Sequence, residues 1–284
     1  MSRAYQYSED FKVTDQMKND YEEGGYIIIK GLLDVEELNN IKKAVECKND
    51  LTDSAYGLPD GENGYSRLAL WSHPGNDVTG MLVRTEKLAG TAEQLLGGEV
   101  YHYHTKLMMK NPKTGGRHVW HQDYGYWYKN GCLFPDMLSV FLPIDKCIKE
   151  NGCLEILDGS HKCGRIEHLM VAGQTGADME RVKELQKVFP HKYVELDAGD
   201  ALFFHCNLLH TSAPNHSDMR RWVFIPAYNK ASNNPVYEHH HPQYTKLHKV
   251  PNSAIRECRN YTDMTGKEFI DTSKDKTVAA VKRD

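Results

Sequence analysis

The chain has 284 residues, 40% hydrophobic and 26% charged, with a formal net charge of −4 from 35 basic and 39 acidic side chains. That balance, with both signs interspersed, provides no basic face for nucleic acid and no polybasic patch for a membrane surface. No run of eighteen apolar residues and no apolar signal core occurs, and seven cysteines without paired spacing suit free thiols, so a soluble cytoplasmic protein is expected.

From the amino terminus, residues 14–24 and 34–47 carry helical spacing, with Asp34 as a cap and Glu37 three residues on completing a capping box. Between them Tyr26-Ile-Ile-Ile29 reads as a buried strand, and residues 85–96 form a third helix candidate. From Val100 onward short apolar runs dominate, at 100–110, 137–144, 153–157, 192–196, 201–205 and 222–228, most of them separated by turn residues. This predicts a mainly β fold with flanking helices: a double-stranded β-helix, or cupin-like jelly roll, whose two sheets open at one end into a pocket. With no linker or repeat, residues 1–284 read as a single domain, with a core at about 20–230 and a polar carboxyl-terminal extension at about 231–284 that holds at most a short helix. Residues 165–190, charged and helical in parts, are expected to form a mobile lid over the pocket mouth.

The chemistry concentrates in two places. His121, Gln122 and Asp123 form an H-x-D pair within Trp120-His-Gln-Asp-Tyr-Gly-Tyr-Trp127, and residues 199–210 read as an apolar strand ending on His210. Two imidazoles and one carboxylate are the donor set of a non-haem Fe(II) centre, which leaves one face of the metal open for a chelating co-substrate and O2. Arg221 opens the next apolar strand, where its planar fork can grip a carboxylate, and the Ser212 hydroxyl can donate to the same group. Metal ligands beside a carboxylate clamp imply a 2-oxo acid co-substrate; a zinc hydrolase on the same ligands leaves Arg221 and Ser212 without a role.

In these segments the chain resembles the phytanoyl-CoA dioxygenase family of Fe(II)/2-oxoglutarate oxygenases, which includes ectoine hydroxylases and some bacterial free-proline hydroxylases. The resemblance spans roughly residues 20–230. It rests on Glu-Gly-Gly-Tyr-Ile-Ile-Ile-Lys-Gly-Leu-Leu, His-Thr-Lys-Leu-Met-Met-Lys-Asn-Pro, Glu-Asn-Gly-Cys-Leu-Glu-Ile-Leu-Asp-Gly-Ser-His and the stretch from His210 to Arg221, in that order. It implies His121, Asp123 and His210 as iron ligands, Arg221 as the anchor of the distal carboxylate of 2-oxoglutarate, and Ser212 as its helper. Lys106, Ser139 and Phe141 fall where relatives line the co-substrate pocket. Related halogenases replace the carboxylate ligand with a small residue, so the retained Asp123 implies hydroxylation.

Tyr124 and Trp127 are candidates for the substrate wall, with core packing of a strand as the other reading. The expected substrate is a small amino-acid-like molecule. An acyl-CoA is the alternative, for which Lys110, Lys113 and Arg117 offer a basic rim, and a non-catalytic metal-binding jelly roll is the alternative from another class. The Glu238-His-His-His-Pro242 tract reads as an exposed loop, residues 151–161 as turn, strand and turn, His102 and His104 as ordinary strand polarity, and Arg220 as the alternative clamp to Arg221.

Overall fold

The computed structural model describes residues 3–62, 64–261 and 263–271. Two sheets face each other. The larger runs Ala4–Gln6, Tyr26–Lys30, Ala201–His205, Met137–Pro143, Arg221–Lys230, Val100–Lys110, Tyr65–Ser72 and Glu268–Phe269, with Tyr56–Pro59 also pairing to Tyr65–Ser72. The smaller runs His191–Val194, Leu154–Leu157, His210–Ser212 and His118–His121. This is the expected jelly roll, in which sequence-distant strands lie side by side: Arg221–Lys230 pairs with both Val100–Lys110 and Met137–Pro143.

Period-two alternation gives each central strand of the large sheet two roles. Leu138, Val140 and Leu142 belong to the cluster beneath the helices, as do Phe203, Leu107 and Phe224. Phe141, Leu202, Phe204, Met108 and Val223 face Leu154 and Ile156 of the small sheet. Every charged or polar side chain that shares this second face is thereby turned into the space between the sheets.

The helices that cover the outer face begin as anticipated. Asp34 caps Val35–Glu46 and Glu37 closes the box; Thr14 caps Asp15–Gly24. The expected helix at 85–96 is a π-helical turn, Glu86–Gly90, running into Thr91–Leu96, and the Val78–Arg84 helix and the Tyr65–Ser72 strand were not foreseen. Glu37 also forms a buried ion pair with Lys87 at 2.6 Å.

The extension does not stand apart. Phe269 pairs with Trp71, and the sequence after Lys230 returns to the pocket. A short helix, Ala254–Glu257, stands where one was expected. All seven cysteines are free. Among the described residues no helix is long and apolar enough to cross a membrane.

Candidate functional site

The small sheet brings the two histidines together. His210 and His121 are direct cross-strand partners, with ring centroids 4.0 Å apart. His210 does not end the preceding apolar strand, as the sequence suggested. That strand stops at His205, and residues 206–209 carry the chain from the large sheet to the small one, where His210 opens a new strand. Asp123 is the first residue of the short helix Asp123–Trp127, fixed by the Tyr124 N–H donating to the Cys206 carbonyl at 3.0 Å. Ligand atoms of His121, Asp123 and His210 all lie within 4.8 Å of one another, and all three residues are buried.

The surroundings prepare these groups for a cation. His121 Nδ1 donates to the Val119 carbonyl and His210 Nδ1 to the Leu208 carbonyl, each at 2.8 Å, so Nε2 of both rings keeps its lone pair for a metal. Burial holds both imidazoles below their ordinary basicity; His210 and His118 push His121 further down, whereas the Asp123 charge pulls His210 partly back. Burial would push the Asp123 carboxyl up, but Lys106, His210 and the Ser139 hydroxyl outweigh it and hold it below the usual carboxylate range. Two neutral imidazoles and an anionic carboxylate at this spacing fit Fe(II).

Lys106 and Ser139, expected along the co-substrate pocket, both contact this carboxylate. Lys106 Nζ donates to Oδ1 at 3.0 Å and Ser139 Oγ to Oδ2 at 2.6 Å. Lys106 also lines the cavity beside His121.

Arg221 is buried, its Nε and Nη2 donating to the Gly152 carbonyl at 3.1 and 2.6 Å, with its guanidinium 5.6 Å from the Phe141 ring centre. Gly152 has φ 76°, and a Cβ there would meet the Ala213 carbonyl oxygen at 2.2 Å, so only glycine presents that acceptor. Lys110 is the register partner of Arg221 and is also buried; its Nζ donates to Ser212 Oγ at 2.8 Å and to the Ser212 carbonyl at 3.3 Å. Burial and the neighbouring Arg221 hold its ammonium well below its usual basicity. Arg221, a buried cation that no described carboxylate pairs with, creates demand for an anion beside Lys110. Lys110 is therefore an interior residue, not part of a basic rim, whereas Lys113 and Arg117 stay exposed. Arg220 is committed elsewhere, gripping Asp145 through Nε and Nη2 at 2.8 and 2.9 Å.

A cavity lined mostly by apolar surface opens beside His121. Trp127 and Tyr126 line it; Tyr124 does not, because its hydroxyl donates to the Cys132 carbonyl and its ring packs in a cluster with Tyr101, Tyr103 and Trp127. Tyr124 is thus a core residue and Tyr126 takes the wall position. His104 also lines the cavity, and so does His241, which is only 6% exposed, contrary to the reading of its tract as an exposed loop. The segment at 165–190 is a hairpin, His168–Val171 with Gln174–Ala177, followed by the helix Met179–Gln186. Gln122 fastens the hairpin's approach, accepting from Ile166 N–H at 2.7 Å and donating to the Gly164 carbonyl at 2.8 Å, and Gln174 donates to the Pro59 and Arg117 carbonyls. Gln174 and Thr175 of this segment line the cavity.

Residues 21–223 match the family described as phytanoyl-CoA dioxygenase. The L-proline trans-4-hydroxylase of Streptomyces griseoviridis is 29% identical over 233 residues, covering 76% of this chain and 87% of that protein. An ectoine dioxygenase of Stutzerimonas stutzeri is 25% identical, covering 79% and 80%. The crystal structure of EctD from S. alaskensis with bound iron superposes with a TM-score of 0.71 at 22% identity over 87% of this chain and 90% of that one; its complex with 2-oxoglutarate and 5-hydroxyectoine gives 0.71 at 21% over the same shares. With the jelly roll in place, the His-Asp-His set at its mouth and a family model spanning most of its length, the chain belongs to the phytanoyl-CoA dioxygenase family.

Proposed function

We propose that His121, Asp123 and His210 hold Fe(II), that Arg221, with Ser212 and Lys110 beside it, receives the distal carboxylate of 2-oxoglutarate, and that the substrate is a free amino acid or a compact relative. The chain is a 2-oxoglutarate-dependent dioxygenase that hydroxylates a small metabolite. The observation that carries the site assignment is the anionic Asp123 set between two imidazoles kept neutral, with each Nδ1 tied to a carbonyl. Iron(II) with 2-oxoglutarate and O2 supplies an oxidant able to replace an aliphatic C–H by C–OH, releasing succinate and CO2.

The chain's own share is positioning and protection. Lys106 and Ser139 fix the orientation of Asp123 and keep it charged. Phe141 provides an apolar surface under Arg221, so the clamp works away from water, where a charge-assisted contact is strongest. Leu58, Leu68, Leu70 and Met108 line the cavity with apolar surface suited to an aliphatic substrate body. The amino-acid reading rests on the 29% identity to a proline hydroxylase and on this mostly apolar cavity beside His121. The acyl-CoA reading loses one of its three basic residues to the interior.

The test is succinate formation by the anaerobically purified, iron-loaded protein with 2-oxoglutarate and air, over a panel of free amino acids, small betaines and acyl-CoAs. Stimulation above the uncoupled rate by an amino acid supports the reading; stimulation by acyl-CoA alone overturns it.

A further inference from the structure

At one end of the cavity, three buried side chains hold polar atoms that meet no partner within the protein. His104, 1% exposed, has neither Nδ1 nor Nε2 engaged; Asn130, also 1% exposed, has a free Oδ1; His241 has a free Nδ1. All three line the same cavity as His121 and Trp127. Leaving such atoms without a partner in a low-dielectric site costs on the order of 1–3 kcal/mol each, so their concentration on one wall is a recognition surface.

The wall is shaped. The His241 ring lies 4.7 Å from the His104 ring and 4.6 Å from the Tyr103 ring, while Trp127 meets His104 edge-on at 5.5 Å. Asn130 is oriented by its amide, which donates to the Tyr103 hydroxyl at 3.4 Å, leaving the carbonyl oxygen as a pure acceptor. Each neutral imidazole can donate one N–H. Lys106, close enough to depress the basicity of both rings, adds positive potential at this end. Imidazole N–H donors and one carbonyl acceptor lining the same cavity complement a carboxylate and an amine held by one small molecule.

We propose that His104, Asn130 and His241 form the head-group site of the substrate, with the imidazoles donating to the carboxylate of an amino-acid zwitterion and Asn130 Oδ1 accepting from its amine. This rests on the amino-acid reading above and assigns it residues. It also gives the chain beyond Lys230 a role in recognition, because His241 lies outside the family-matched stretch, residues 21–223, and part of the head-group site is supplied from beyond it. The head is held at one end and the aliphatic body lies against Leu68, Leu70 and Met108, within the cavity that His121 also lines.

The experiment measures binding of L-proline and of the best amino acid from the succinate panel, by calorimetry on protein loaded with Mn(II) and 2-oxoglutarate. Variants His241→Ala, His241→Gln, His104→Leu and Asn130→Leu are compared with the parent, alongside the cyclopentanecarboxylate and pyrrolidine halves of proline. The expected result is a loss of amino-acid affinity of about tenfold or more for His241→Ala, His104→Leu and Asn130→Leu, and recovery with His241→Gln, which keeps a donor. Cooperative urea unfolding with a midpoint close to the parent's, and unchanged Mn(II) affinity, show that each variant is folded. Each half-molecule binds more weakly than proline. Amino-acid affinity unchanged in all three truncation variants overturns the head-group site and leaves the amino-acid reading standing. No amino acid bound or turned over by the parent, with 2-oxoglutarate turnover intact, overturns the substrate reading and the head-group site with it.

Discussion

Ser139 offers a quantitative test of how the iron site is prepared. It is fully buried on the central strand Met137–Pro143, where alternation places it on the same inward face as Phe141, and its hydroxyl donates to Asp123 Oδ2 at 2.6 Å. Ser139→Ala removes that donor without adding bulk, leaving one carboxylate oxygen short of a partner. A hydrogen bond to a charged group is worth about 1.5–3 kcal/mol, and each 1.4 kcal/mol is about a tenfold change in affinity, so metal binding should weaken by about 10- to 100-fold. The pH dependence has a definite sign. The Asp123 carboxyl sits below its ordinary value, so the carboxylate is present above that value and lost as pH falls through its folded pKa. Removing Ser139 takes away one of the contributions that hold it down, so Mn(II) binding should fail at a higher pH in the variant than in the parent. Anaerobic Mn(II) titrations followed by electron paramagnetic resonance, from acidic to neutral pH, supply both numbers. Ser212→Ala is the control, because Ser212 Oγ takes its hydrogen bond from Lys110. Equal metal affinity and equal pH dependence in parent and Ser139→Ala would mean that the Ser139 hydroxyl does not hold Asp123 ready for the metal.

Other substitutions test neighbouring parts. Arg221→Met should weaken 2-oxoglutarate by about 2–3 kcal/mol in a binding titration and leave Mn(II) affinity unchanged; a change confined to the amino-acid substrate would place the clamp elsewhere. Gly125→Ala should destabilise the short helix by about 1–3 kcal/mol in urea unfolding and lower metal affinity, since a Cβ there would fall 2.1 Å from the His168 ring, whose Nε2 accepts from Gln122 N–H beside the ligands. Full stability of this variant would contradict the packing described. Lys87→Met strands Glu37, whose carboxyl burial already pushes up, and should cost about 3–5 kcal/mol by the same measurement, much of it recovered by adding Glu37→Gln; a loss under about 1 kcal/mol would mean the pair is hydrated.

Much of this architecture was legible because strong local signals and the fold agree. The Asp34–Glu37 box, the Val100–Lys110 strand and the apolar run at 137–144 depend on chemistry within a few residues. What could not be read depends on how the sheets close. The turn at 206–209 lies between apolar residues on both sides, so the strand reads as continuing to His210, whereas the jelly roll requires the chain to change sheets there. Ser139 and Lys106 share an inward face, but only the fold puts Asp123 between them. Tyr124 and Tyr126 are two residues apart on a helical turn, nearly opposite in direction, so one packs into the core and the other faces the cavity. Three consecutive histidines read as solvated; His241 is instead covered by the tilted rings of Tyr103 and His104, far earlier in the chain. Lys110 looks like a surface charge in sequence, and the one available signal was its position an even number of residues from Lys106 and Met108 on a strand whose inward face was already implied.

Turnover under 18O-labelled dioxygen, with 2-oxoglutarate and the best amino acid of the panel, follows where each oxygen atom goes. The expected result is one labelled oxygen in succinate and one in a hydroxylated amino acid, in equal amounts, with both signals lost in Asp123→Ala. Unlabelled product, or labelled product undiminished in Asp123→Ala, would contradict it.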